Sequence, residues 1–145
     1  MWTERLTSSR TLHALELAAQ FAEQRHRVLA ENLANIDTPN YQAQRLDPAA
    51  FQTSLRGALD AARRLRSNRL ELRGNAQFAT DLPGHVTVRP VREPAENALF
   101  HDGTNAQVER LLTDVAQNSL SYELATNLLR GRFETLLRAI RGRVT

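Results

Sequence analysis

The sequence predicts a mainly α protein. Long N- and C-terminal helices pair as a coiled-coil-like bundle, with a short helix and a small β/loop segment between them. Three observations support this. Apolar residues alternate at three- and four-residue spacing over residues 12–36. The same spacing returns over residues 108–140, so the two ends can pair as antiparallel or parallel helices. The 145 residues are 41% hydrophobic but only 6% aromatic, a composition suited to helices packed through Leu and Ala. The expected division is a helical unit of residues 1–40 and 101–145 that carries the segment 41–100.

Residues 1–10 are polar, and a frayed start is expected there. The first helix then follows a seam of Leu12, Leu15, Ala19, Ala22, His26, Leu29, Leu33 and Ile36. Glu16, Gln20, Glu23, Gln24, Arg25 and Arg27 fall off it. At 1.5 Å per residue the helix would be about 37 Å long. Either it packs within its own monomer, or it serves a contact between subunits.

The helix has to stop near Asp37, because Thr38 precedes Pro39 and a residue before proline is pushed out of the α region. Thr38-Pro39-Asn40-Tyr41 has tight-turn chemistry, with proline at the second position and Asn40 suited to a left-handed third. Asn32, Asn35 and Asp37 can bond backbone groups freed at the helix end.

Asp47-Pro48 starts a short helix, with the aspartate as cap and proline in the first turn. Its stripe is Phe51, Leu55, Leu59, Ala62 and Leu65, and it ends near Ser67-Asn68. Residues 70–72 and 86–88 alternate as short strands, separated by a turn signal at residues 81–84. Residues 91–94 and 101–103 read as loop.

The last helix opens with a capping box, Thr104 to Gln107. Val108, Leu112, Val115, Ser119, Tyr122, Thr126, Leu129, Phe133, Leu136 and Ile140 form its seam, and Leu111, Leu128 and Leu137 widen the apolar face. So wide a face suits contact with more than one neighbouring helix. Gly131 invites a kink or a close approach.

Composition narrows the function. There is no cysteine, so disulfides and thiolate metal sites are excluded. All 19 basic residues are arginine, which lifts the pI to about 10.5 although the formal charge is only +3. No apolar run is long enough to span a membrane, and no cleavable signal is visible at the start. Histidines 13, 26, 85 and 101 are scattered, without metal-ligand spacing. No phosphate loop, nucleophile elbow or triad can be traced, so no enzyme, cofactor or metal is expected. Arg63, Arg64, Arg66, Arg69 and Arg73 are the best argument for nucleic acid, but no aromatics interleave with them and no known binding module is present.

The stretch around the turn resembles the signature of the flagellar axial proteins, the rod, hook and hook-cap relatives. That signature reads Ala-Asn-[Ile/Leu]-Ala-Asn-x-x-Thr-Pro-Gly-Tyr. Asn32, Leu33, Ala34, Asn35, Thr38, Pro39 and Tyr41 match it; Glu31 stands where the first alanine is usual, and Asn40 replaces the glycine. The C-terminal half is similar to the proximal rod branch of FlgB type. The matching residues are His101-Asp-Gly-Thr-Asn105, Val108-Glu-Arg110, Asn118, Tyr122, Leu128-Leu129, Gly131, Phe133 and the ending from Leu137. Tyr41-Gln-Ala-x-x-Leu-Asp47 followed by Phe51 fits too. The likeness is loose over residues 66–100.

The resemblance implies a structural subunit of the basal-body rod in the periplasm, exported unfolded by the flagellar type III apparatus without a cleaved signal. Its partners would be further copies of itself, other rod proteins, the ring-to-rod adaptor, the MS-ring and the export gate. Assembly would run through Leu12, Leu15, Ala19, Ala22, Leu29 and Ile36 of the first helix. In the last helix it would use Val108, Leu112, Val115, Tyr122, Leu129, Phe133, Leu136 and Ile140. The residues themselves leave two alternatives, a basic helical nucleic-acid-binding protein and a cytoplasmic helical adaptor.

Overall fold

The computed structural model describes residues 9–82, 84–92 and 103–142. The protein is mainly helical, with a long helix at each end and a small strand segment between. Helix α1 (Ser9–Ala34, 26 residues) begins three residues before the expected Leu12. Strand β1 (Gln44–Arg45) is followed by helix α2 (Pro48–Arg64) and the hairpin β2 (Phe78–Leu82) and β3 (His85–Val88). Strand β4 (Val91–Arg92) and helix α3 (Gly103–Arg141, 39 residues) follow among the described residues. At 1.5 Å per residue α3 is about 58 Å long, against about 39 Å for α1.

The core lies between α1 and the middle segment. Ala14, Leu17, Phe21 and Val28 of α1 cluster with Leu46, Phe51, Ala58, Ala62, Leu70, Leu72, Phe78 and Val86. Phe21 stacks on Phe51 at 4.0 Å, and both meet Phe78 edge-on, at 6.3 and 5.5 Å. One ring from each of α1, α2 and β2 thus fixes the three elements together.

This shifts the expected seam. Of its members only Ala22 and Leu29 are buried, while Leu12, Leu15, Ala19 and Ile36 are half-buried and His26 and Leu33 are exposed. The buried face runs through Ala14, Leu17, Phe21 and Val28, because the middle segment supplies the large apolar partners. The stripe on α2 is corrected likewise. Phe51 and Ala62 are buried with Ala58, Leu55 and Leu59 lie at the margin, and Leu65 is 78% exposed.

Asp47 caps α2, accepting from the Ala49 N–H at 2.9 Å with Pro48 in the first turn, as expected. The helix ends at Arg64, earlier than the expected Ser67-Asn68. Arg66 takes φ 50°; its N–H donates to Arg63 O at 3.3 Å, and the Ser67 N–H donates to Ala62 O at 3.0 Å. Those two bonds form a Schellman closure around a left-handed arginine.

The strand assignments change as well. Residues 86–88 do pair, but with β2 (Phe78 opposite Val88, Thr80 opposite Val86) and not with residues 70–72. Leu70 and Leu72 are buried with Glu71 exposed between them, so the alternation is real although no ladder forms there. Val91 and Arg92, expected as loop, pair antiparallel with Arg45 and Gln44. Gly74 closes the turn before β2, where an added Cβ would sit 2.8 Å from Phe78 O. In α3 the helix runs unbroken through Gly131, and an added Cβ there would meet nothing within 4 Å. Helix α3 starts at Gly103, one residue before the Thr104 expected to cap it, and the Thr104 side chain, like residues 93–102, lies outside the described residues.

Candidate assembly surface

The turn after α1 is held by amides. Helix α1 stops at Ala34. The Asn35 N–H still donates to Glu31 O (3.1 Å), and its side-chain Nδ2 donates to the same carbonyl (2.9 Å). Ile36 N–H bonds Leu33 O at 3.4 Å, tightening the last turn. Tyr41 N–H then closes on Thr38 O at 3.2 Å, with Asn40 at φ 62°. Pro39 at the second position and a positive φ at the third make this a type II turn.

Asn32 carries the chain back along α1. Its Nδ2 donates to Gln44 O (2.7 Å), and its Oδ1 accepts from the Gln44 N–H (2.9 Å) and the Tyr41 hydroxyl (3.1 Å). The side chain is 8% exposed and pairs with β1 as another strand would. Burial, reinforced by the Glu31 carboxylate, holds the Tyr41 phenol above its ordinary pKa. Asn32, Asn35 and Tyr41 therefore have defined structural partners. Leu33, Ala34, Thr38, Pro39 and Asn40 are exposed, although the Thr38 hydroxyl reaches Asn35 Oδ1 at 3.4 Å.

Polar groups also join α3 to α1. Arg25, buried, donates through Nη2 to Asp114 Oδ1 (2.8 Å) and through Nε to Leu46 O (3.3 Å). Its Nη1 lies 3.5 Å from both Asn118 Oδ1 and Asp114 O. Asn118 in turn donates to Ala22 O at 2.8 Å. Moving back from Arg25 to Ala22 moves forward from Asp114 to Asn118, the order of an antiparallel pair.

The apolar surface of α3 is largely uncovered. Only Asn118 and Ala125 are buried among its described side chains. Of the expected assembly residues, Val108, Val115, Leu129 and Leu136 are half-buried and Leu112, Tyr122, Phe133 and Ile140 are exposed. Leu120, Leu124, Leu128 and Leu137 are exposed as well. Leu120, Leu124 and Leu128 recur every four residues, a ridge centred nearly half a turn from the mean direction of Leu112, Phe133 and Ile140 at about 100° per residue.

Two groups escaped sequence reasoning. Gln20 donates to Gly84 O (2.9 Å) and accepts from the Val86 N–H (3.0 Å). One turn on, Gln24 donates to Val86 O and accepts from the Val88 N–H (3.2 Å). These amides cover the free edge of β3. Their i, i+4 spacing was the available signal, but glutamines on a helix ordinarily face water. Among the described residues no three His, Cys, Asp or Glu side chains cluster to hold a metal, and no helix is long and apolar enough to cross a membrane.

Among the described residues, a terminal helix that extends well past the core and leaves large apolar side chains exposed defines the class of mainly helical proteins with a long terminal helix. No protein-family model matches it. It is 30% identical over 134 residues to the flagellar basal body rod protein FlgB of Escherichia coli (strain K12), covering 89% of this chain and 88% of that protein. The protein of the same name from Bacillus subtilis (strain 168) is 28% identical over 134 residues, covering 92% and 95%. That of Salmonella typhimurium (strain LT2) is 29% identical over 136 residues, covering 89% and 88%. The chain belongs to the FlgB family of flagellar basal body rod proteins. It is a structural subunit of that rod.

Proposed function

We propose that this subunit enters the proximal rod through its terminal helices after export, unfolded and without a cleaved signal, by the flagellar type III apparatus. The observation that carries the reading is α3, which leaves eight large apolar side chains exposed between Leu112 and Ile140. A monomer gains little from such a surface, whereas neighbouring subunits can bury it. Leu12, Leu15, Ala19 and Ile36 of α1, half-buried, would complete the contact. Residues 1–40 and 101–145 form the assembling unit, and the turn from Thr38 to Tyr41 fixes how 41–100 leaves it. The middle segment remains joined to α1 through the shared core. The role is structural and needs no catalysis or cofactor. The partners are further copies, other rod proteins, the ring-to-rod adaptor, the MS-ring and the export gate; nucleic acid is not among them.

Electron microscopy of basal bodies from cells lacking this chain tests the reading. Rings without rod or hook, restored by a plasmid copy, are the expected result; intact hooks and filaments would overturn it. Leu129→Asp and Pro39→Ala should each leave the protein synthesised while stopping rod assembly, and normal swimming in both would count against the helices and the turn.

A further inference from the structure

The arginine cluster is not used by anything described above. Residues 56–73 hold six arginines (56, 63, 64, 66, 69 and 73) against Asp60 and Glu71, a net charge of +4, more than the +3 of the whole chain. All six are exposed. Among the described residues only Arg63 has a carboxylate partner, Asp60 at 3.5 Å. They sit beside apolar surface. Gln52, Leu55, Arg56, Leu59, Asp60 and Arg63 line a shallow groove along the outer face of α2. Past its end stands Leu65, 78% exposed, between Arg64 and the left-handed Arg66.

We propose that this face of α2 docks an acidic amphipathic segment of a partner protein. The leucines of such a segment would lie on Leu55, Leu59 and Leu65. Its Asp and Glu side chains would meet the guanidiniums, whose planar forks pair bidentately with carboxylates. Charge complementarity chooses the occupant: Arg56 and Arg63 on the groove, with Arg64 and Arg66 flanking Leu65 in sequence, outnumber Asp60, so the face disfavours a second copy of itself and attracts carboxylates. Nucleic acid fits less well, because no aromatic ring lines the groove to stack on a base. A flat anionic lipid surface could meet the arginines without filling the groove. Every lining residue belongs to α2, whose inner face is already committed to the core through Phe51, Ala58 and Ala62. The site therefore exists before α3 is covered, and the inference does not depend on the rod reading.

The test places a photoreactive benzophenone side chain in place of Leu65 or Gln52 in living cells that express the full chain, followed by sequencing of the crosslinked peptide. The expected product from both positions is one protein segment with carboxylates flanking leucine-spaced apolar residues. Arg63→Glu combined with Arg66→Glu should lower its yield about tenfold, the loss expected when roughly 1.4 kcal/mol of ion pairing is removed. Leu65→Ser should lower the yield from position 52 as well. Circular dichroism of the purified variants checks that these exposed substitutions leave the fold intact. A neutral or basic peptide, a lipid or nucleic-acid adduct, no adduct, or a yield unchanged by charge reversal would each overturn the proposal.

Discussion

Arg25 and Asp114 meet at 2.8 Å across the α1–α3 contact, with the arginine side chain 8% exposed and the aspartate 36% exposed. The pair joins the two helices through residues 89 apart in sequence. The same guanidinium also reaches Leu46 O, at the entry to α2. One buried cation thus fixes α1, α3 and the start of the middle segment relative to one another. Removing its carboxylate strands a desolvated charge, which costs more than the intact pair contributes.

Asp114→Ala should therefore lower stability by about 2 kcal/mol, below the range for fully buried pairs because the aspartate is partly solvated. Arg25→Met with Asp114→Leu should cost less than the two single changes summed. Urea unfolding of the four proteins gives the coupling, and strict additivity would show that the pair does not act as a unit.

The glutamine edge can be probed by chemistry that barely changes shape. Gln24→Leu removes the acceptor for the Val88 N–H and the donor to Val86 O. Stranding those backbone groups should cost about 1–3 kcal/mol. Gln24→Glu keeps the acceptor and loses the donor, so it should be destabilising at neutral pH and recover in part below about pH 4, where the acid can donate. Hydrogen exchange at Val86 and Val88 reads the effect at the strand itself. Unchanged protection in Gln24→Leu would exclude a structural role for the clamp.

Helices, their order and the turn were legible because each rests on short-range rules: apolar spacing, a proline, a capping aspartate. Asn40 at positive φ is the clearest case. What stayed hidden was long-range. Leu17, Phe21 and Val28 have helical spacing as good as that of Leu15, Ala22 and Leu29, and only the arrival of Phe51 and Phe78 decides which row is buried. Arg25, Gln20 and Gln24 look like solvated helix positions until their partners 21 to 93 residues away are in place. The signature Asn32 was legible as a cap for nearby backbone, but its partner is Gln44, twelve residues on. Leu65 satisfied the helical period, yet fell beyond the last turn.

The two left-handed residues should respond differently to glycine. Asn40 is well suited to φ 62°, so Asn40→Gly should change stability by less than about 0.5 kcal/mol, while Asn40→Val should cost about 1–2 kcal/mol. Arg66 at φ 50° has no such dispensation. Arg66→Gly should raise stability by about 1 kcal/mol by relieving the Cβ clash at the α2 terminus. Thermal unfolding separates these outcomes, and a destabilising Arg66→Gly would mean the arginine is held there by contacts beyond its backbone.

Tyr41 sets an alkaline limit that comparison with Tyr41→Phe isolates, because lysine and cysteine are absent and the second tyrosine, Tyr122, is common to both proteins. Its phenol is held above the ordinary value, first by burial and then by the Glu31 carboxylate. As pH rises past about 10 the unfolded chain loses this proton while the folded chain retains it, so the folded state binds more protons and stability falls. The contribution is fully present below about pH 10 and is lost as pH climbs through the folded pKa. Tyr41→Phe removes the hydroxyl's bond to Asn32 Oδ1, which still accepts from Gln44, and should cost about 1 kcal/mol at neutral pH. Its disadvantage should shrink as pH rises above about 10, since phenylalanine has no proton to lose. Urea unfolding of both proteins across that range, with phenolate absorbance followed in parallel, measures the difference; parallel stability curves would show that Tyr41 ionises equally in the folded and unfolded chains.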